Sequence, residues 1–308
     1  MSLRNKVLLG IAGIVGMASI AGCQSLKQQH KHPDVNIQVC KEYSEKLTPQ
    51  ERERASQGFS IAQQRARKQG IELEPSNKPH CITLRYLDQS SYLKTDQKLS
   101  EQDRENMTYE EELGKVQSTA YGEGLKVLPN LVTSLGYAEN DTANISIPQT
   151  TRHADNLNPQ TDKMKEDLRQ HYIAYVSLHE IGHSAGLLHP ETVPNLSDEE
   201  KEILEEHSTM YPNLMSERRP QIGENSVDPN HAFNITPKQK NMMKEGTTPG
   251  TELYRAIRKP SIGLEQLLKW YKQNLDSEQS TAYVGLEENK KFLPVPTQNK
   301  INQLYQNK

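Results

Sequence analysis

The chain has little with which to build a large core: one tryptophan, three phenylalanines and an apolar share of 33% over 308 residues. Globular domains typically carry ~45–50% apolar residues with glycine counted in, and the 17 glycines here do not close that gap. One compact core with polar tails is expected, not a core running the whole length. A surplus of charge of one sign is also missing. The formal net charge is -3, so no basic excess exists to neutralise phosphates, and nucleic acid is not expected as a partner. Cysteine is scarce, at three residues. No apolar run reaches the ~20 residues that a membrane span needs, and no repeat recurs at solenoid periods.

The longest apolar run opens the chain. Arg4 and Lys6 precede a charge-free stretch from Val7 to Ala21, the makeup of a secretory leader. Ile20-Ala21-Gly22-Cys23 then resembles the lipobox of bacterial lipoproteins. That resemblance implies removal of residues 1–22, a diacylglycerol on Cys23, and an exported body tethered to a membrane of the bacterial cell envelope. An uncleaved anchor helix and an ordinary leader are the alternatives, and both also take the body out of the cytoplasm. Residues 23–34 read as a polar tether, with His30 and His32 as solvated linker. Only Cys40 and Cys81 remain in the body. An even pair in an oxidising compartment suggests a disulfide, the alternative being two buried thiols.

Local patterns give a coarse order of elements. Val35 to Val39 alternates apolar and polar, as a strand does. Thr48-Pro49-Gln50-Glu51 opens a helix, with Thr as N-cap and Pro at the first helical position, and Gly70 ends it. Cys81 to Leu87 reads as a second strand, so strand, helix and strand argue for a parallel pair. Residues 88–115 are polar and are expected as a surface excursion. Ala143-Asn144-Ile145-Ser146-Ile147 alternates and stops at Pro148, which suits a sheet-edge strand. An extended peptide could add along such an edge, making Ala143, Ile145 and Ile147 candidate substrate contacts. A long helix is expected from about residue 160 to 187. Ser197 and Thr236 open two shorter helices, and Thr251 to Leu275 is partly helical in pattern.

The chemistry concentrates in His179-Glu180-Ile181-Gly182-His183-Ser184-Ala185-Gly186-Leu187-Leu188-His189. Residues four apart share one helix face, so His179 and His183 can both bond one Zn²⁺. Glu180 then lies beside the ion, placed to take a proton from water. A third ligand must approach from another direction. On a straight helix, His189 would point well away, at ~280° around the axis from His179. Gly186 tolerates the left-handed conformation that ends a helix and reverses the chain, which lets His189 return. His171 is ~80° off the His179 direction and does not face the ion.

This eleven-residue pattern resembles the metzincin metallopeptidases. Ser208-Thr209-Met210-Tyr211-Pro212 is similar to their Met-turn, with Met210 beneath the zinc site, and its ending looks most like the matrixin branch. The resemblance implies an α/β (α+β) fold: a zincin-like metzincin catalytic domain with a mixed twisted sheet, an active-site helix and a Met-turn. Its order is strand, helix, several strands with one antiparallel edge strand, active-site helix, Met-turn and last helix. It covers residues 35–246, leaving 247–308 as a partly helical C-terminal extension.

Pro190 follows the third His, where matrixins commonly carry Ser, and Pro212 occupies the position of the Tyr ligand of astacins and serralysins, so no Tyr ligand is assigned. His153 and Asp155 lie close together but read as surface polar residues. The function implied is a zinc-dependent endopeptidase with one catalytic Zn²⁺, acting on a peptide or protein, with Glu180 as general base. Alternatives are an envelope lipoprotein with a structural zinc, serving as a binding or assembly factor, and a zinc hydrolase of non-peptide bonds.

Overall fold

The structure is a computed structural model that describes residues 33–93, 134–157, 159–190, 193, 196–210, 222–223, 226–227, 235–258, 284–292 and 295–306. The leader, Cys23, most of the tether, residues 94–115, Tyr211, Pro212 and residues 259–275 lie outside the described residues. Among the described residues, no helix is long and apolar enough to cross a membrane.

The chain is mixed α/β, built on a five-stranded mixed sheet in the order β2-β1-β3-β5-β4. Strands β1 (Val35–Tyr43), β2 (Ile71–Pro75), β3 (Ile82–Leu87) and β5 (Thr142–Ser146) are parallel neighbours, while β4 (Gly136–Glu139) runs antiparallel to β5. Helix α1 (Pro49–Lys68) connects β1 to β2, and α2 (Gln89–Tyr92) follows β3. After β5 come α3 (Ile147–Asp155), α4 (Asp162–Ser184) and α5 (Asp198–His207). A short hairpin, β6 (Ile222–Gly223) with β7 (Ser226–Val227), precedes α6 (Pro237–Thr247) and α7 (Glu252–Ile257). Last are α8 (Leu286–Asn289), a 3₁₀ turn at 290–292, and α9 (Val295–Gln306).

The alternation read in β1 buries Val35, Ile37 and Val39, and the same period buries Ile71 and Leu73 of β2 and Ile82, Leu84 and Tyr86 of β3. Phe59 and Ala62 of α1 and Ile173 and Val176 of α4 close the core over these strands. Both helices start on side-chain caps. Thr48 and Glu51 form a reciprocal box on α1, and Thr161 accepts from Met164 N at 3.1 Å on α4. Charge ties the helices together: Arg54 of α1 meets Glu166 of α4 at 2.9 Å, and Arg169 of α4 holds Asp155 of α3 through two 2.7 Å hydrogen bonds. Cys40 of β1 and Cys81, just before β3, are joined as a disulfide with Cα atoms 5.7 Å apart. The register Val39↔Ile82 is what sets them side by side.

Several expectations need correction. The expected pair, β1 with β3, is parallel, but the crossover through α1 leads to β2, on the other side of β1. Ala143 to Ile147 is not the sheet edge. Ala143 and Ile145 are fully buried in β5 between β3 and β4, Ile147 is the first residue of α3, and the edge is β4. Pro148 starts that helix instead of stopping a strand, because its missing N–H costs nothing in a first turn. Nor is the start of 88–115 a surface excursion: Asp88, Gln89, Ser90, Tyr92 and Leu93 are buried. Beyond residue 246, Leu253 and Ile257 of α7 pack into the main core. Further on, Val284, Leu286 and Ile301 pack with Ile203 and Leu204 of α5 in a second, smaller cluster.

Asp88 explains how a polar segment can be buried. Its carboxylate caps α2 by accepting from the Ser90 and Ser91 amides, and also accepts from the hydroxyls of Ser44, Ser90 and Ser91. Burial pushes its pKa up, but the hydrogen bonds from Ser44, Ser91 and Ser90 outweigh burial and hold the carboxyl below its ordinary range. A folded pKa below the unfolded ~3.9 means this stabilisation is present above that value and is lost as pH falls through the folded one. Urea unfolding should find Asp88→Asn less stable by about 1–3 kcal/mol at neutral pH, with the gap to wild type narrowing in strong acid. Equal stability at neutral pH would remove Asp88 from this role.

Candidate metal centre

Helix α4 carries His179 and His183 one turn apart and then stops within three residues. Gly186 N donates to His183 O at 2.8 Å and Leu187 N to Gly182 O at 2.9 Å, the paired bonds of a Schellman ending. Gly186 has φ +97°, which only glycine adopts without strain. A Cβ there would also sit 2.9 Å from Ile257 Cδ1 and 3.1 Å from Leu253 Cδ2, so α7 covers the turn. The reversed chain brings His189 back beside the helix.

The three Nε2 atoms converge. They lie 3.1 Å apart for His179 and His183, 2.8 Å for His183 and His189, and 3.2 Å for His179 and His189. Three nitrogens on a tetrahedral ion with ~2.0–2.1 Å bonds would be about 3.3–3.4 Å apart, close to this spacing. The second nitrogens are also committed. His179 Nδ1 donates to Thr209 O at 2.7 Å, and His183 Nδ1 to Leu187 O at 2.8 Å. A neutral imidazole that donates from Nδ1 has only a lone pair at Nε2. Two lone pairs therefore face each other, and protonation is a poor remedy. Burial pushes His183 down, and burial together with the neighbouring His183 takes His189 down to about 3. A shared cation satisfies the nitrogens at once. The donor set fits a divalent ion of the kind that favours imidazole, zinc and its neighbours among them, and among the described residues these three are the group that could hold one.

Glu180 follows the first histidine and is buried, its side chain against β4. Burial raises its pKa to about 8. Met210 is wholly buried below the helix; a Cβ on Gly182 would lie 2.5 Å from its Sδ. The turn bearing Met210 thus both underlies α4 and, through Thr209 O, orients His179. Tyr175 stacks on the His179 ring with centroids 6.2 Å apart.

The sequence motif thus brings together His179, His183, His189, Glu180 and Met210. Other residues go elsewhere. His171 faces α1, its Nδ1 2.6 Å from Arg65 Nη2. Asp155 is taken by Arg169, and His153 lies edge-on to Tyr172. His80 Nδ1 meets Tyr254 Oη at 2.9 Å. Sequence reasoning missed Tyr175, which i−4 spacing from His179 could have found. It also missed the Thr209 and Leu187 carbonyls, Gly136 beside Glu180, and the α7 cover; these depend on contacts that no local pattern encodes. Comparison with protein-family models, curated proteins and solved structures gave no match.

After Co²⁺ loading, elemental analysis should find about one ion per chain. His183→Ala should lose it, and Gly186→Ala, which strains the turn, should weaken it at least tenfold in equilibrium dialysis, on the scale of ~10–100-fold seen for supporting groups. Full cobalt retention by His183→Ala would eliminate this site.

Proposed function

We propose that the chain is a zinc-dependent endopeptidase of metzincin type, matrixin-like, exported and anchored to a cell-envelope membrane through a lipid on Cys23. The observation that carries the catalytic part is the trio of Nε2 atoms within 3.2 Å, with Glu180 next to the first of them. A three-nitrogen set leaves a fourth position open, as catalytic sites do. The sheet supports the same reading: its lone antiparallel strand is the edge strand β4, as the family order implies.

His179, His183 and His189 would hold the ion, which supplies Lewis-acid chemistry: a more acidic water and a polarised scissile carbonyl. Glu180 does the proton work. Burial raises its carboxyl to about 8 with no cation near, and a divalent charge at the histidines would draw it back down, leaving a carboxylate with the proton affinity that general-base work close to neutrality needs. It takes the proton from the attacking water and returns it to the leaving amine, so the peptide C–N bond breaks as the new C–O bond forms and the proton count balances. Thr209 O and Leu187 O keep two ligands in the right tautomer, and Met210 supports the helix from below. An intact carboxylate in this position has no use in a purely structural site.

Two experiments test the reading. Purified protein should cleave members of a quenched-fluorescence peptide library, and a chelator should stop it. Glu180→Gln should retain zinc while turnover falls by ~10²–10⁴; a variant as active as wild type sinks the mechanism. For the anchor, mass spectrometry of the native N-terminus should show acyl chains on Cys23, and Cys23→Ala should abolish lipid labelling. An unmodified Cys23 would end the lipoprotein assignment.

A further inference from the structure

Strand β4 reaches the site through a residue with no side chain. Gly136 pairs with Ile145 of β5, and a Cβ built on it would lie 2.8 Å from Glu180 Cγ, 2.8 Å from Glu180 Oε1 and 2.8 Å from Val176 Cγ1. Real Cβ atoms essentially never come so close to another heavy atom. Here the strand backbone is poorly placed to yield. The β5 ladder holds it on one side, the Ser134 hydroxyl donates to Gly136 O, and Tyr92 Oη in turn bonds Ser134 O at 3.1 Å. Val176 is equally fixed: it is β-branched, buried in the core and one turn before Glu180 on α4. Of the three atoms that a methyl at 136 would meet, two belong to Glu180. The part free to move is therefore the Glu180 side chain, by a change of rotamer.

We propose that Gly136 is a positioning residue: its bare backbone forms the seat for the Glu180 side chain and thereby fixes where the carboxylate stands relative to the three histidines. The constraint is one of space. His179 and His183 take their orientation from Thr209 O and Leu187 O, and His189 is delivered by the glycine turn; none of these is part of β4, so position 136 sets the base without setting the histidines. No motif carries this residue. The chain Leu135-Gly136-Tyr137 has a glycine where a strand gains nothing from one, and its use appears only when α4 is laid against the edge. This inference rests on the peptidase reading for its catalytic consequence but not for its geometry.

The test follows that division. Gly136→Ala should keep about one zinc per chain and a KM within about twofold for the best-cleaved library peptide, while kcat falls roughly 100-fold, the loss expected when an interaction made only in the transition state is removed. Adding Val176→Ala removes one of the three close contacts and leaves the two with Glu180, so kcat should stay low; recovery to the wild-type rate would place the effect on Val176 and overturn the proposal. Unchanged kcat, a loss carried by KM, or loss of zinc would each overturn the proposal. A second measurement needs no activity. The fall in Tm caused by Gly136→Ala should be smaller in a Glu180→Ala background than in wild type, because the crowded side chain is gone. Equal falls in both backgrounds overturn the proposal even for a protein that cleaves no peptide. Unequal falls sustain the seat even if the peptidase reading fails, so the two failures are told apart.

Discussion

Two backbone carbonyls decide what the histidine cluster can be. Thr209 O and Leu187 O each take the Nδ1 proton of a helical histidine and leave its other nitrogen as a bare lone pair. Without them, His179 and His183 could settle by sharing a proton in either tautomer, and nothing would call for a cation. With them, electron density is aimed from two sides at one point, in a buried place where charging a ring is unfavourable. Each carbonyl comes from a different part of the chain. Leu187 O is the product of the glycine turn that ends α4, and Thr209 O belongs to the turn that ends over Met210. The rest of the architecture can be read as the means of holding those two carbonyls in place.

The sheet makes a second contribution from the opposite side. Its parallel strands β2, β1, β3 and β5 carry the core under α1 and α4, and β4 alone runs the other way along the rim. Among the described residues β4 pairs with β5, and its position beside α4 brings backbone close to Glu180. The ion pairs from Arg54 and Arg169 tie α1 and α3 to the first half of α4, and the Cys40–Cys81 bond ties β1 to the start of β3. Surface and half-buried ion pairs contribute little each; their use here is to fix one helix against two others.

How much was legible in the sequence depends on how local the cause is. The ligand set is written in eleven residues, since helical spacing and one glycine turn determine where the three rings go. Helix starts at Thr48, Ser197 and Thr236 were equally readable, because a cap acts within four residues. Strand β2 was hidden because Ile71 and Leu73 are its two inward apolar residues and Pro75 looks like a stop. Strand β4 was hidden for a stronger reason. Gly136 to Glu139 has no apolar alternation, and its place at the edge is a matter of pairing with β5, which no local pattern holds. The same applies to residues 88–93, whose polarity predicts exposure until the serine hydroxyls around Asp88 are seen to satisfy it. The pieces of the centre that sequence could not reveal are the contacts between distant segments: Thr209 O on His179, Gly136 on Glu180, and α7 on the glycine turn.

That last contact has a consequence in time. The turn that delivers His189 is complete in the nascent chain well before Leu253 and Ile257 are made, yet those two side chains are what lies over Gly186. A growing or truncated chain can therefore carry all three clustered histidines and still lack the two side chains that lie over the glycine turn leading to the third.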